Sequence, residues 1–224
     1  MTTRVMGSGL SDAAGRWLEA LGALGGAAGA VLFVVGAVLS DVGGKGVNPT
    51  QSGEHVLAIL GPAAASFHLA TAVLTAASVA LVAGFVALSR RLSGSGPASP
   101  SSQLVLIGGT VLVGLALLLA TLSLALAVAL ESRSGSAALV LVNLLWEIFR
   151  LFVAPAILVT WATAWASIRD GALPTPFGWI TAGYAALLTV ALLPVFPAGL
   201  ISLTFIAWLM FVSLLMAAQP RRAS

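Results

Sequence analysis

The stretch Asn143-Leu-Leu-Trp146-Glu147-Ile-Phe-Arg150 gathers a carboxamide, an indole and two charges within otherwise apolar sequence. Glu147 and Arg150 are three residues apart, so on a helix they share a face, and Asn143 lies one turn before Glu147 on it. Charges inside an apolar helix are costly, which makes them functional candidates by default. Two readings fit this stripe. Glu147 and Arg150 could neutralise each other and fix their helix against its neighbours, or the stripe could line a small outward-facing polar pocket. His68, in a separate apolar run, falls at a depth that matches Glu147. Beside a carboxylate it would form a protonatable pair; alone it would be a hydrogen-bonded packing residue. His68, Asn143, Glu147 and Arg150 are therefore the candidate polar site, expected to face the bundle interior and to pair with one another.

Sharper chemistries fail on residue counts. There is no cysteine, which removes disulfides, thiolate metal sites and cysteine nucleophiles. Two histidines and few carboxylates cannot supply bis-histidine ligation of two haems. The apolar runs hold no lysine for a retinal Schiff base, and neither a Gly-x-Ser-x-Gly elbow nor a His-Glu-x-x-His zinc motif occurs. No cofactor, metal or catalytic residue is expected.

The elements that position the stripe follow from composition. Of 224 residues, 59% are hydrophobic and 8% are charged, against about 25% charged in soluble domains. Such a chain cannot cover a water-facing surface, so its main partner is expected to be the lipid bilayer. Residues 20–40, 56–89, 92–130 and 171–220 contain no Asp, Glu, Lys or Arg. About 20 helical residues cross a hydrocarbon core of ~30 Å, and helices satisfy their own backbone there. The runs lack the short alternation of a membrane barrel. The expected fold is all-α: a single polytopic membrane bundle of about six transmembrane helices, near 17–39, 62–89, 104–130, 137–168, 177–193 and 200–218.

Between them, residues 41–61 form the one long polar loop, in which Ser52 can cap a short helix through Glu54, His55 and Ile59. Val56, Leu57, Ile59 and Leu60 of that helix need an apolar surface. Pro62 suits a helix start. Residues 92–103, rich in Ser, Gly and Pro, read as a solvated inner linker. The fourth helix, at about 48 Å, is longer than the core and must tilt, kink or protrude, with Pro155 as the place for a kink. Pro194 and Pro197 divide the last apolar run. Gly22, Gly26, Gly25 and Gly29 form two overlapping small-xxx-small pairs on the first helix. They serve either packing within the bundle or association with a second copy or another membrane protein.

Orientation follows from basic residues. With the N-terminus inside, Arg4, Arg16, Arg90, Arg91, Arg169, Arg221 and Arg222 are cytoplasmic, and only Lys45 and Arg133 lie outside. Both ends of the chain are then cytoplasmic, in the cell (inner) membrane. Trp17, Trp165 and Trp179 fall near the inner boundary. Residues 1–40 read as a retained anchor, because the apolar stretch is long for a signal peptide and lacks a clear cleavage site. The net charge of +3 comes from scattered helix-end residues, so nucleic acid is not an expected partner. Arginine far outnumbers lysine amid abundant Ala and Gly, a composition of high-GC bacteria.

The closing third carries a resemblance. Ile168-Arg-Asp-Gly-Ala-Leu-Pro174 leads through Phe177-Gly178-Trp179 into an Ala/Gly/Leu helix, and Ile206-Ala-Trp208-Leu209 lies in the last one. This resembles small bacterial multi-pass proteins of domain of unknown function 4386. These share an Arg-x-x-x-Leu-Pro turn, a Trp at the next helix and an Arg/Glu pair in an earlier helix; here the order is reversed, with Glu147 before Arg150. The resemblance implies architecture and no activity. Three functions stay open: a non-enzymatic structural, sensing or interaction component, which the residues favour; a small transporter or channel-like protein with an outer-leaflet polar site; and a lipid-modifying enzyme.

Overall fold

The structure is a computed structural model that describes residues 6–47, 50–94, 98–191 and 198–219, with side chains from Trp17 onward except Leu18 and residues 198–203. All regular elements among them are helical. These are α1 (Met6–Leu39), α2 (Gly53–Leu60), α3 (Ala64–Ser93), α4 (Pro100–Glu131), α5 (Gly135–Leu151), α6 (Val153–Asp170), α7 (Thr175–Val190) and α8 (Ala198–Ala218). Four stretches are long and apolar enough to cross a membrane: Glu19–Leu39, Gly53–Ser93, Pro100–Glu131 and Gly135–Asp170. Pro194 and Pro197, and Arg4, Arg221 and Arg222, lie outside the described residues.

Several boundaries differ from the sequence expectation for local reasons. The inner linker is shorter, because α3 continues to Ser93 and α4 already begins at Pro100. Ser99 caps α4 by accepting from the Ser102 N–H at 3.1 Å, and Pro100 occupies the first turn, where its missing N–H costs nothing. The single fourth helix is two. The chain breaks at Phe152, three residues before Pro155, which has no N–H to donate to the Leu151 carbonyl one turn earlier.

Helix α1 packs on α3 and α8; α3 also packs on α4; α4 packs on α5 and α6; α6 packs on α7. The glycine face of α1 serves the interior. A Cβ on Gly22 would lie 2.7 Å from that of Ala87, and one on Gly29 would lie 2.8 Å from the Leu81 nitrogen. These contacts, with Gly36 against Leu74, set the antiparallel register of the two helices. That register puts the end of α1 level with Thr71, whose hydroxyl donates to the Ala120 carbonyl of α4 at 3.2 Å. Beyond Ala120, α4 runs on to Glu131, about 16 Å further at 1.5 Å per residue.

The segment after α1 fills this step. Val42 and Val47 of the loop and Val56 and Leu60 of α2 are buried, while Leu57 and Ile59 pack at the edge. Ser52 caps α2 as expected, accepting from the His55 N–H. Gly53 and Gly135 touch backbone to backbone, so α2 sits on the start of α5.

Candidate functional site

Helix α5 carries the polar stripe, and its buried face decides where that stripe points. Ala138, Val142, Leu145 and Ile148 are buried at helical spacing. Glu147 and Arg150 fall on the opposite face, and Asn143 lies half-buried beside them. Glu147 Oε2 and Arg150 Nη1 form an ion pair at 2.9 Å, with side chains 56% and 64% exposed. The two residues thus pair with each other but face outward, which corrects the interior placement. The interior position would have demanded that the apolar stripe face lipid or water instead. Trp146 rests against Gly43 of the loop after α1, which places the pair near the end of the bundle that carries Lys45 and Arg133.

His68 does not reach Glu147. Its Nε2 lies 2.8 Å from Oε1 of Glu131, the last residue of α4. Since a carboxylate only accepts, Nε2 carries the donated proton. The geometry has a simple origin. Side chains lean toward the N-terminus of their helix. In antiparallel α3 and α4, His68 therefore leans toward the Lys45 end of the bundle and Glu131 leans away from it, and they meet. Both side chains are about half exposed. Glu131 was missed from sequence because it sits at a helix end, where a charge draws no notice, 63 residues from its partner.

Lys45 closes α1. Its ammonium donates to the Leu39 carbonyl at 2.8 Å and the Asp41 carbonyl at 3.0 Å, and lies 4.9 Å from the centre of the Phe67 ring. Cations are favoured at the negative end of a helix dipole. Partial burial lowers its pKa below the usual lysine value, and the neighbouring Asp41 carboxylate opposes that shift.

The opposite end holds a second pair that sequence reasoning missed. Arg91 Nη1 lies 3.3 Å from Glu19 Oε1, with side chains 10% and 12% exposed. It ties α1 to α3, and no local spacing could reveal a contact 72 residues apart. Arg169 stacks over Trp165 at the same end, with its guanidinium carbon 5.8 Å from the ring centre.

The centre of the bundle is mostly apolar, with a few buried hydroxyls such as those of Ser78, Ser123 and Thr160. A cavity of about 10 Å³ lies beside the break at Phe152, lined by Phe33, Phe85, Leu112, Phe205 and Leu209 among others; this is about the space one water needs. None of the four candidate residues lines it. Among the described residues, no group of three or more His, Cys, Asp or Glu could hold a metal.

The residues behind the family resemblance do structural work. Gly178 lets α7 close on α6, since a Cβ there would lie 2.9 Å from Ser167 and Ile168 side-chain carbons. Trp208 is buried on α8, stacks with Phe205 and donates its indole N–H to Thr181 of α7 at 3.2 Å. Tyr184 and Thr204 join the same two helices at 3.0 Å.

No protein-family model matches the chain, and neither does any curated protein or solved structure.

Proposed function

We propose that this chain is a six-span protein of the cell (inner) membrane, both ends cytoplasmic, acting as a non-enzymatic interaction, sensing or structural component. The spans are α1, α3, α4, the broken α5–α6, α7 and α8. Exposed Leu, Val and Ile side chains along α1, α3, α4 and α7 support lipid as the surrounding solvent. Trp17, Trp165 and Trp179 are 71%, 59% and 65% exposed and suit the inner boundary, near Arg91 and Arg169.

The observation that carries the interaction reading is the outward polar stripe of α5. An ion pair that faces out at the rim is available to a neighbour in the membrane, whereas the apolar centre is given to packing. The exposed His68–Glu131 pair favours a second reading, a lipid-modifying enzyme, because an imidazole oriented by a carboxylate can shuttle a proton. The same outer rim would serve a small transporter. The resemblance of the closing third to multi-pass membrane proteins agrees with the architecture in each case.

A thermal-stability screen of purified protein against phospholipids and water-soluble solutes separates the three. The non-enzymatic reading expects no phospholipid turnover and no solute-dependent rise in Tm that Glu147→Gln removes. A solute-dependent rise lost in Glu147→Gln would replace it with the transporter, and phospholipid turnover lost in His68→Ala would replace it with the enzyme.

A further inference from the structure

The outward face of α5 has an order that a lipid contact does not require. Ser136, Val140, Asn143, Glu147 and Arg150 follow one another at spacings of four, three, four and three residues. This is the spacing of a two-helix seam, in which knobs recur every 3.5 residues. All five are exposed or half-buried, so the described residues leave this face open.

We propose that this seam is a two-fold contact with a second copy of the chain. The inference rests on the membrane-spanning reading and names the partner of its interaction surface. Copies that insert with one orientation can only be related by an axis along the membrane normal, which makes the two α5 helices parallel and sets equal residue numbers at equal depth. Asn143 then meets Asn143 of the second copy, and carboxamides, carrying both donors and an acceptor, bond to each other. One turn deeper, Glu147 of each copy reaches Arg150 of the other, so the pair is charge-complementary to itself. Arg150 is the last charge on the helix, about 22 Å from Gly135 along the axis. A second copy supplies it with a carboxylate beside that of its own Glu147. The glycine face of α1, the other candidate for association, is filled by α3 and by Ser213 of α8.

The chain has no cysteine, so single-cysteine variants report contacts without background. Val140→Cys, Asn143→Cys and, as a control on an exposed site of α3, Val79→Cys are purified, reconstituted into phospholipid vesicles and oxidised. The expected result is a band at twice the monomer mass for the first two and none for the control. Adding Glu147→Arg to Val140→Cys should abolish the band, and adding Arg150→Glu as well should restore it. Three monomeric variants, or three equally crosslinked ones, would overturn the proposal. So would a band at a different mass seen only in native membranes, which would assign the seam to another protein. An alkaline carbonate wash keeps the two claims apart. Monomers retained in the membrane sink the second-copy contact alone, whereas protein released by the wash sinks the membrane reading beneath it.

Discussion

Gly26 of α1 and Gly84 of α3 meet where the two helices cross, and a Cβ on Gly84 would stand 2.5 Å from the Gly26 Cα. Neither backbone can yield without parting the helices, and Ser213 closes the third side, its oxygen 2.6 Å from a Cβ on Gly26. Gly84→Val should therefore destabilise the protein by about 1–3 kcal/mol or more through overpacking. Gly114 has nothing within 4 Å of its missing Cβ, and Gly114→Ala should be neutral or slightly stabilising. Thermal unfolding of the two variants in detergent checks the contrast, and equal losses would refute the crossing.

The pair Glu19–Arg91 should show the strong coupling that the sequence suggested for Glu147–Arg150. Both side chains are largely shielded from solvent, so each single removal should cost more than at an exposed pair, while removing both costs less than the sum. Glu19→Gln, Arg91→Gln and the double variant should behave in this way. Glu147→Gln and Arg150→Gln in monomeric protein should each cost about 0.3–0.5 kcal/mol, as exposed helical pairs do. A double-mutant cycle that is additive at Glu19–Arg91 would contradict this account.

Trp208 should matter twice, through its volume and through its N–H. Trp208→Phe removes the donor to Thr181 and should cost about 1 kcal/mol, whereas Trp208→Ala should cost about 3–5 kcal/mol. Loss of α7–α8 contact can be read from the Tm and from proteolysis between the two helices. A harmless Trp208→Ala would mean that the aromatic contacts do not hold α8.

Lys45 is the only lysine in the chain, so amine labelling reports a single side chain. In intact cells a membrane-impermeant amine reagent should modify Lys45 without lysis. Because partial burial lowers its pKa below 10.5, reactivity should rise at lower pH than for a free lysine. The folded protein then binds this proton less tightly than the unfolded chain, so stability should increase as pH rises through the folded pKa toward 10.5. Labelling only after lysis would reverse the proposed orientation.

How much of this was written in the sequence depends on the range of the interaction. The helices, the Ser52 cap and the break near Pro155 depend on neighbours a few residues away, and they were legible. The apolar need of Val56 and Leu60 was legible too, because a short helix so patterned must lie on something. The partners Glu131 and Glu19 were not, since each meets its base on a different helix. The direction of the α5 stripe was not legible for another reason. The cost of a charge facing lipid points the stripe inward, whereas the apolar residues Ala138, Val142, Leu145 and Ile148 fix the opposite face toward the bundle. Near the rim that cost falls, because long side chains can reach the interface.

The central claim is a bundle that crosses the membrane with its Arg91 end inside and its α5 rim outside. Alkaline phosphatase fused in turn after Gly46, Gly96, Gly135 and the C-terminus measures this directly, since the enzyme folds only outside the cytoplasm. Activity after Gly46 and Gly135, with none after Gly96 or the C-terminus, is the expected result. Activity after Gly96 or at the C-terminus would contradict it.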